Sequence, residues 1–366
     1  MIAEFLFFLF ISATAIQLLF WLGIFSRLAF FKEKTGTAAE GKPVSVIICA
    51  KNEAENLQKN LPRFLNQNYR SFEVIVVNDH STDKTAEVVL NFQAKYPNLR
   101  LIHSGSTLPG KKAALAQGIE AAFFEIIAVS DADCYPASLD WLKTMQSVLD
   151  GQTEIGLGYS PYYAEKTFLN LFIRFEAIYT ATQYLSFALI GLPYMGVGRN
   201  LIYTKPLFQK NKGFHKHMHI ASGDDDLFIK EAANVLNTKI VLSQEALVYS
   251  IPKKTWRGYY YQKSRHLSTA TSYKVQHKIL LGLLSASHVL HFVCALALLA
   301  GGAKVAIVLF TCLVRTGVVS WMYRKILKKL YEPALWKWVW ALDVLYVLFY
   351  FVFAPALLIG RKDKWK

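Results

Sequence analysis

The chain has 366 residues, a formal net charge of +15 and 53% hydrophobic residues, with a mean hydropathy of +0.25. A chain that averages out apolar is not an ordinary soluble globular protein, so part of it belongs in lipid. Its positive charge gathers at Lys253-Lys254, Arg324-Lys325, Lys328-Lys329 and Arg361 to Lys366, beside apolar runs; this placement reads as membrane topology and headgroup attraction and argues against nucleic acid as a partner.

Residues 2–31 are apolar, with Glu4 and Arg27 as their only charges. Ala13-Thr14-Ala15 has the look of a cleavage site, but no basic segment precedes it and the apolar run continues beyond it, so the stretch reads as a transmembrane anchor. Arg27, Lys32 and Lys34 put its carboxyl side in the cytosol. Residues 32–43, with Gly36, Gly41 and Pro43, form a linker. Strand-like and helix-like segments then alternate: strand Val44 to Ala50, helix Glu53 to Leu65, strand Phe72 to Val77, helix Ser81 to Lys95 with Asp83 in its first turn, strand Leu101 to His103, helix Lys111 to Phe124 and strand Ile126 to Ser130. Such alternation predicts an α/β domain with a mostly parallel sheet and helices on both faces.

Residues 161–195 are aromatic and apolar but carry Glu165, Lys166, Arg174 and Glu176, which predicts amphipathic material at the membrane interface, with a buried helical insertion as the alternative. The late apolar runs 279–300, 303–323 and 339–360 are each long enough to cross a hydrocarbon core of about 30 Å at about 1.5 Å per residue. They predict about three carboxyl-terminal transmembrane helices before a basic tail, 361–366. Three full crossings after a cytosolic domain would leave that tail outside, against the positive-inside trend; either the last segment, broken by Pro355, is re-entrant or one span does not cross. Arg315 and Asp343, inside late spans, either pair along a polar path or reach the interface from tilted helices. Cys49, Cys134, Cys294 and Cys312 have no paired spacing, so neither a disulfide framework nor a zinc site is expected.

The chemistry gathers at strand ends. Asp131-Ala132-Asp133 follows a buried strand, at the carboxyl edge where open α/β sheets bind ligands. Two carboxylates one residue apart can hold one hard cation, Mg²⁺ or Mn²⁺, which also takes a substrate's phosphates. Lys51-Asn52-Glu53 and Asn78-Asp79-His80-Ser81 end at the same edge, where a carboxylate can accept from a nucleobase N–H or ribose hydroxyls, and Gly110-Lys111-Lys112 can neutralise the ligand. Singly, Glu53 or Asp79 reads equally well as an acid at a helix N-terminus. In Gly223-Asp224-Asp225-Asp226, like charges raise a carboxyl pKa toward that of a working general base, although the run alone is also a solvated turn. Gln262 and Arg265 share a helix face, and an arginine there can grip a pyrophosphate with two donors. Tyr259-Tyr260-Tyr261 reads as a membrane belt, with sugar binding as the alternative.

In order, over about residues 44–270, these stretches resemble the family 2 inverting glycosyltransferases, in particular their membrane-integrated branch, with its ceramide glucosyltransferase-like and polysaccharide synthase-like enzymes. The resemblance implies a nucleotide-sugar-binding, Rossmann-like domain of the GT-A type, facing the cytosol, with a nucleotide-sugar donor, most often a UDP-sugar, and Mg²⁺ or Mn²⁺. It implies Glu53 and Asp79 at the nucleoside, Lys111 near the base or diphosphate, Asp131 facing sugar and ribose, and Asp133 holding the metal beside Asp131. Asp225 would be the base, with Asp224 one residue away as the alternative, and Gln262 and Arg265 would serve the diphosphate and acceptor.

Three departures stand out. His266 replaces the tryptophan that follows Gln-x-x-Arg in processive synthases, His80 stands where the family usually has glycine, and the acidic run leaves the base ambiguous by one residue. Four spans are few for a polymer channel, so the expectation is addition of one sugar, or few, to a lipid or lipid-linked acceptor among the membrane lipids. A processive polysaccharide synthase is the alternative within the family. A non-catalytic scaffold would be expected to have lost an acid among Asp79, Asp131, Asp133 and Asp225, and all four are present. A sugar nucleotidyltransferase leaves Gln-x-x-Arg beside membrane spans unexplained.

Overall fold

Nine short strands carry the domain: β1 (Val44–Ala50), β2 (Phe72–Asn78), β3 (Leu99–His103), β4 (Ile126–Asp131), β5 (Cys134–Pro136), β6 (Ile155–Gly158), β7 (Leu201–Thr204), β8 (Thr238–Val241) and β9 (Val248–Ser250). This computed structural model describes residues 1–33, 41–105, 110–220 and 222–359. Seven strands form one sheet in the order β3-β2-β1-β4-β7-β6-β8, and β5 pairs with β9 beside it. β1 to β4 are mutually parallel, β7 runs antiparallel to β4 and β6, and β8 is parallel to β6. The mostly parallel α/β sheet expected from the alternation is the one found.

β1 reads as unbroken apolar sequence because both faces of the sheet are covered. Ile47 and Cys49 point into one layer with Ala114, Leu115 and Ile119; Val46 and Ile48 point into the other with Leu57, Leu61 and Phe64. Each such buried Val or Ile side chain contributes roughly 1.5–3 kcal/mol. The helix Lys111–Ala121 lies so close to the sheet that a Cβ on Gly118 would meet Ile47 Cγ2 at 2.6 Å. This closeness fixes where Lys111, at the helix start, emerges.

The second helix starts at Thr85 rather than Ser81, because Asp83 folds the intervening turn: its Oδ1 accepts the Thr85 N–H at 3.0 Å and its Oδ2 the Ala54 N–H at 3.2 Å. The third ends at Ala121 rather than Phe124, where the Phe123 N–H donates to Glu73 at 2.7 Å and the Phe124 N–H to Ser45 at 3.2 Å.

Residues 161–195, read as interfacial material with a buried helical insertion as the alternative, consist mainly of a helix, Phe168–Leu189, packed between the sheet and the membrane helices. Phe175 lies 5.5 Å from Tyr323, and Tyr179 lies 4.8 Å from Tyr346. Two of the four charges there are paired inside the protein, Arg174 with Glu332 and Glu176 with Lys263, while Glu165 pairs with the exposed Lys254.

Among the described residues, four helical segments are long and apolar enough to cross a membrane: Ile2–Ala29, Val275–Ala300, Val305–Lys329 and Pro333–Pro355. Arg315 and Asp343 pair between the last two, and Arg315 also donates to Gln17 Oε1 at 3.0 Å. Gln17 in turn donates to the Leu284 carbonyl at 2.9 Å and to Ser287 Oγ at 2.8 Å. The final helix, Val339–Ile359, does not leave the domain abruptly; Phe353 stacks on Tyr260 at 5.2 Å and Phe349 lies 6.4 Å from Phe172. Most of the expected linker (34–40) and the basic tail 361–366 lie outside the described residues.

Candidate active site

The loops after β1 and β2 clasp each other. Asn52 Oδ1 accepts the Thr82 N–H at 2.8 Å, and the Asn52 N–H donates to Ser81 Oγ at 3.0 Å. Asn52 and His80 both take the left-handed conformation, with φ of +56° and +55°. A residue without a side chain adopts that conformation most readily, which is the physical reason a glycine suits position 80. His80 uses its ring instead, with Nδ1 2.9 Å from Asp79 Oδ1. The Glu53 N–H is held by Thr85 Oγ1 at 2.9 Å, and its carboxylate accepts from Asn56.

A cavity of about 1070 Å³ opens beyond these loops, and every predicted site residue lines it except Asp79. Asp79 is fully buried; besides His80, its carboxylate accepts the Gly110 N–H at 2.8 Å. It ties the loop after β2 to the start of the helix Lys111–Ala121, where contact with a nucleoside was expected.

Lys111 stands at the centre. Its Nζ lies 2.8 Å from Asp131 Oδ1 and 2.8 Å from Asp224 Oδ2. Burial opposes the charge on Lys111, but Asp131 and Asp224 outweigh it and hold the amine well above its ordinary pKa. Likewise burial opposes ionisation of Asp131, and Lys111 holds its carboxyl below the usual range.

Ligand atoms of Asp131, Asp133 and Cys134 all lie within 4.8 Å of one another. The Cys134 thiol is pushed well up by burial and by the neighbouring Asp133 and Asp131, so it remains a thiol, 3.3 Å from Asp133 Oδ1. Within this group the two carboxylates are the hard oxygen donors, the kind that suit Mg²⁺ or Mn²⁺.

The acidic run divides its work. Asp224 pairs with Lys111. Asp226 is fixed structurally, accepting from Thr269 Oγ1, from the Tyr273 hydroxyl at 2.8 Å and from the Leu227 N–H at 2.8 Å. Asp225 accepts the Gly198 N–H at 2.7 Å, and burial followed by its two acidic neighbours pushes its pKa up to about 7. Burial raises Asp226 too, but its carboxylate is taken up by Thr269 and Tyr273, which leaves Asp225 as the raised acid suited to a general base.

Gln262 and Arg265 project from the helix Trp256–Leu267, whose first turn is capped by Thr255. His266 shares the cavity wall. Arg199, which no motif singled out, lines the cavity as well, donating to the Tyr162 hydroxyl at 3.0 Å. The Nε–H groups of Arg199 and Arg265 are both buried without a partner among the described residues. Two such guanidinium donors in one cavity suit an anionic ligand. The signal for Arg199 was the run Gly196-Val197-Gly198-Arg199: a Cβ on Gly198 would sit 3.3 Å from Asp225 Cβ, so only a bare backbone brings its N–H to that carboxylate so easily.

Residues 45–214 match the family model described as glycosyl transferase family 2. Glycosyltransferase AglE of Haloferax volcanii is 39% identical over 110 residues, 30% of this chain and 36% of that protein. Dolichyl-phosphate beta-glucosyltransferase ALG5A of Trichomonas vaginalis is 38% identical over 103 residues, 25% of this chain and 32% of that one. The matches thus span about a third of these relatives' length. Among solved structures, the mannosyltransferase PcManGT of Pyrobaculum calidifontis, in complex with GDP-Man and Mn²⁺, aligns with a TM-score of 0.60 at 17% identity, over 95% of this chain and 99% of that one. It shares the fold.

Proposed function

We propose, from the match of residues 45–214 to the glycosyl transferase family 2 model, an inverting transfer of a sugar from a nucleotide-sugar, a UDP-sugar in the first instance, to a hydroxyl of a lipid or lipid-linked acceptor. The observation that carries this reading is one cavity lined by the Asp131–Asp133 pair, by Asp225, and by residues of two spanning helices. The relatives named above act, by their names, as glycosyltransferases, one of them on a dolichyl phosphate, which supports a lipid-linked acceptor.

Asp225 takes the acceptor's proton as its oxygen attacks the anomeric carbon; the Gly198 N–H holds one carboxylate oxygen at 2.7 Å and the Asp226 N–H the other at 2.8 Å, which fixes the carboxylate at the cavity wall with further lone pairs to face the acceptor. Arg265 and Arg199 bind the departing diphosphate with their unpartnered donors. Lys111 favours the ionised form of Asp131 and bridges Asp131 and Asp224. A divalent cation held by Asp131 and Asp133 would neutralise the charge that develops on the leaving diphosphate. A polyprenyl-phosphate nucleophile would already be ionised, so a base at Asp225 favours a hydroxyl as the attacking group. The domain is proposed to face the cytosol, where Arg27 and Lys32 flank the first span.

The test is release of free sugar from a panel of UDP- and GDP-sugars by the purified protein in detergent with Mn²⁺. One donor turned over, and lost in Asp133→Ala, supports the reading; no turnover of any donor, even with membrane lipid extract present, contradicts it.

A further inference from the structure

We infer that the acceptor lipid enters this cavity sideways from the bilayer, through a mouth between the helices Val275–Ala300 and Val339–Ile359 at Gly282 and Ala354. The inference rests on the proposed lipid acceptor and adds its route and its subsite. The cavity, of about 1070 Å³, is lined at once by the carboxylates Asp131 and Asp133 and by Phe349, Phe353 and Ala354 of the last apolar helix. A donor bound by the carboxylates therefore shares the cavity with an apolar compartment.

The walls of that compartment are part polar and part aromatic. Gln183 and Thr180 line it. So does the buried Glu176–Lys263 pair, with the Thr180 hydroxyl donating to Glu176 at 2.7 Å. The last helix contributes an aromatic shelf, with Tyr346 and Phe349 stacked at 4.6 Å and Phe349 and Phe353 at 4.4 Å. Gly282 and Ala354 line the cavity and are also exposed at the surface of their spans. Their neighbours Leu283, Phe351 and Val352 are exposed too, so the mouth opens onto the face that meets acyl chains. The matching ligand has a hydroxylated headgroup, for the polar part of the walls, and a long hydrocarbon tail lying on the shelf and passing out between the helices.

Gly282 provides the test, because a Cβ added there meets nothing within 4 Å. Gly282→Trp therefore places an indole at the mouth from a Cβ with open space around it. The probe is diacylglycerol with a diazirine in one acyl chain, photolysed with the full-length protein in phosphatidylcholine nanodiscs, with Gly282→Ala as a size control. Expected is labelling within 346–354 in the wild type and in Gly282→Ala, reduced at least fivefold in Gly282→Trp, with Mn²⁺-dependent release of sugar from the donor unchanged in all three. Labelling that is the same in Gly282→Trp, or that falls only elsewhere, overturns the portal. Absence of donor turnover in the wild type would contradict the proposed activity, and the labelling pattern would still decide the portal by the same two results.

Discussion

The Gly198 N–H donates to Asp225 Oδ2 at 2.7 Å, and this contact separates one carboxylate from an otherwise uniform acidic run. It aims Asp225 into the cavity while Asp224 turns to Lys111 and Asp226 to Thr269 and Tyr273. With burial and two acidic neighbours, Asp225 holds its proton up to about pH 7. A base must be deprotonated to work, so transfer should fall about tenfold per pH unit below 7 and level off above it. A pH–rate profile at saturating donor checks this; a flat profile from pH 5 to 8 would remove Asp225 from the role.

The same raised value has a consequence for stability. The folded-state pKa of Asp225, about 7, lies above its ordinary 3.8, so folding favours the protonated form. Its contribution is full at low pH and is lost as pH rises through 7. Asp225→Asn should therefore melt higher than the wild type at pH 8, by a few degrees, and match it at pH 4, while losing transfer by about 10²–10⁴-fold. Thermal melts in detergent at the two pH values measure the difference.

Lys111 is the shared counter-charge of Asp131 and Asp224, and its side chain is only 17% exposed. Lys111→Met leaves both carboxylates facing each other without a cation. Removing one partner of a buried pair costs about 3–5 kcal/mol, so this variant should melt lower, and millimolar Mn²⁺ should restore part of the loss. Lys111→Arg should fall between. A melt of Lys111→Met that matches the wild type would show the pair to be dispensable.

How much of this was legible in the sequence depended on distance along the chain. β1 to β4 announced themselves as apolar runs, because a doubly covered parallel strand has no polar face to disguise it, and Asp131 and Asp133 followed from the end of β4. β6, β7 and β8 did not: each has four residues, and β7 finds β4 about 75 residues later in the chain. Asp79 sat at the expected strand end, but only the fold shows its carboxylate consumed by Gly110 and His80. Arg199 and Gly198 lie in a loop whose purpose is a contact with Asp225, which no local spacing encodes. For the helix Phe168–Leu189 two readings stayed open, because the partners of Arg174 and Glu176, Glu332 and Lys263, lie far off in sequence.

Lys112 points away from its neighbour's cluster and donates to the carbonyls of His217 at 2.7 Å and Ile220 at 2.9 Å. It therefore anchors the loop that leads into Gly223 and the acidic run. Lys112→Met should speed amide hydrogen exchange across 214–220 by about tenfold, the loss of roughly 1.4 kcal/mol of local stability. Exchange followed by mass spectrometry reads this directly, and unchanged rates would show the loop to be held by other contacts.

Within the membrane helices, Arg315 is fully buried and answers both Asp343 and Gln17. Arg315→Met alone should destabilise by about 3–5 kcal/mol, because it leaves a buried acid uncompensated, whereas Arg315→Met combined with Asp343→Leu should recover most of it. Donor turnover in the double variant should match the wild type. A double variant as unstable as the single one would show that the pair contributes more than its own neutrality.

The central claim, that one cavity joins a nucleotide-sugar site to a base and a membrane acceptor, is tested most directly by following the sugar. Wild-type protein in native-lipid nanodiscs, given radiolabelled donor and Mn²⁺, should move label into an organic-extractable product with inverted anomeric configuration, and Asp225→Asn should bind the donor yet leave the organic phase unlabelled. Label confined to the aqueous phase in the wild type, or a product of retained configuration, would contradict the account.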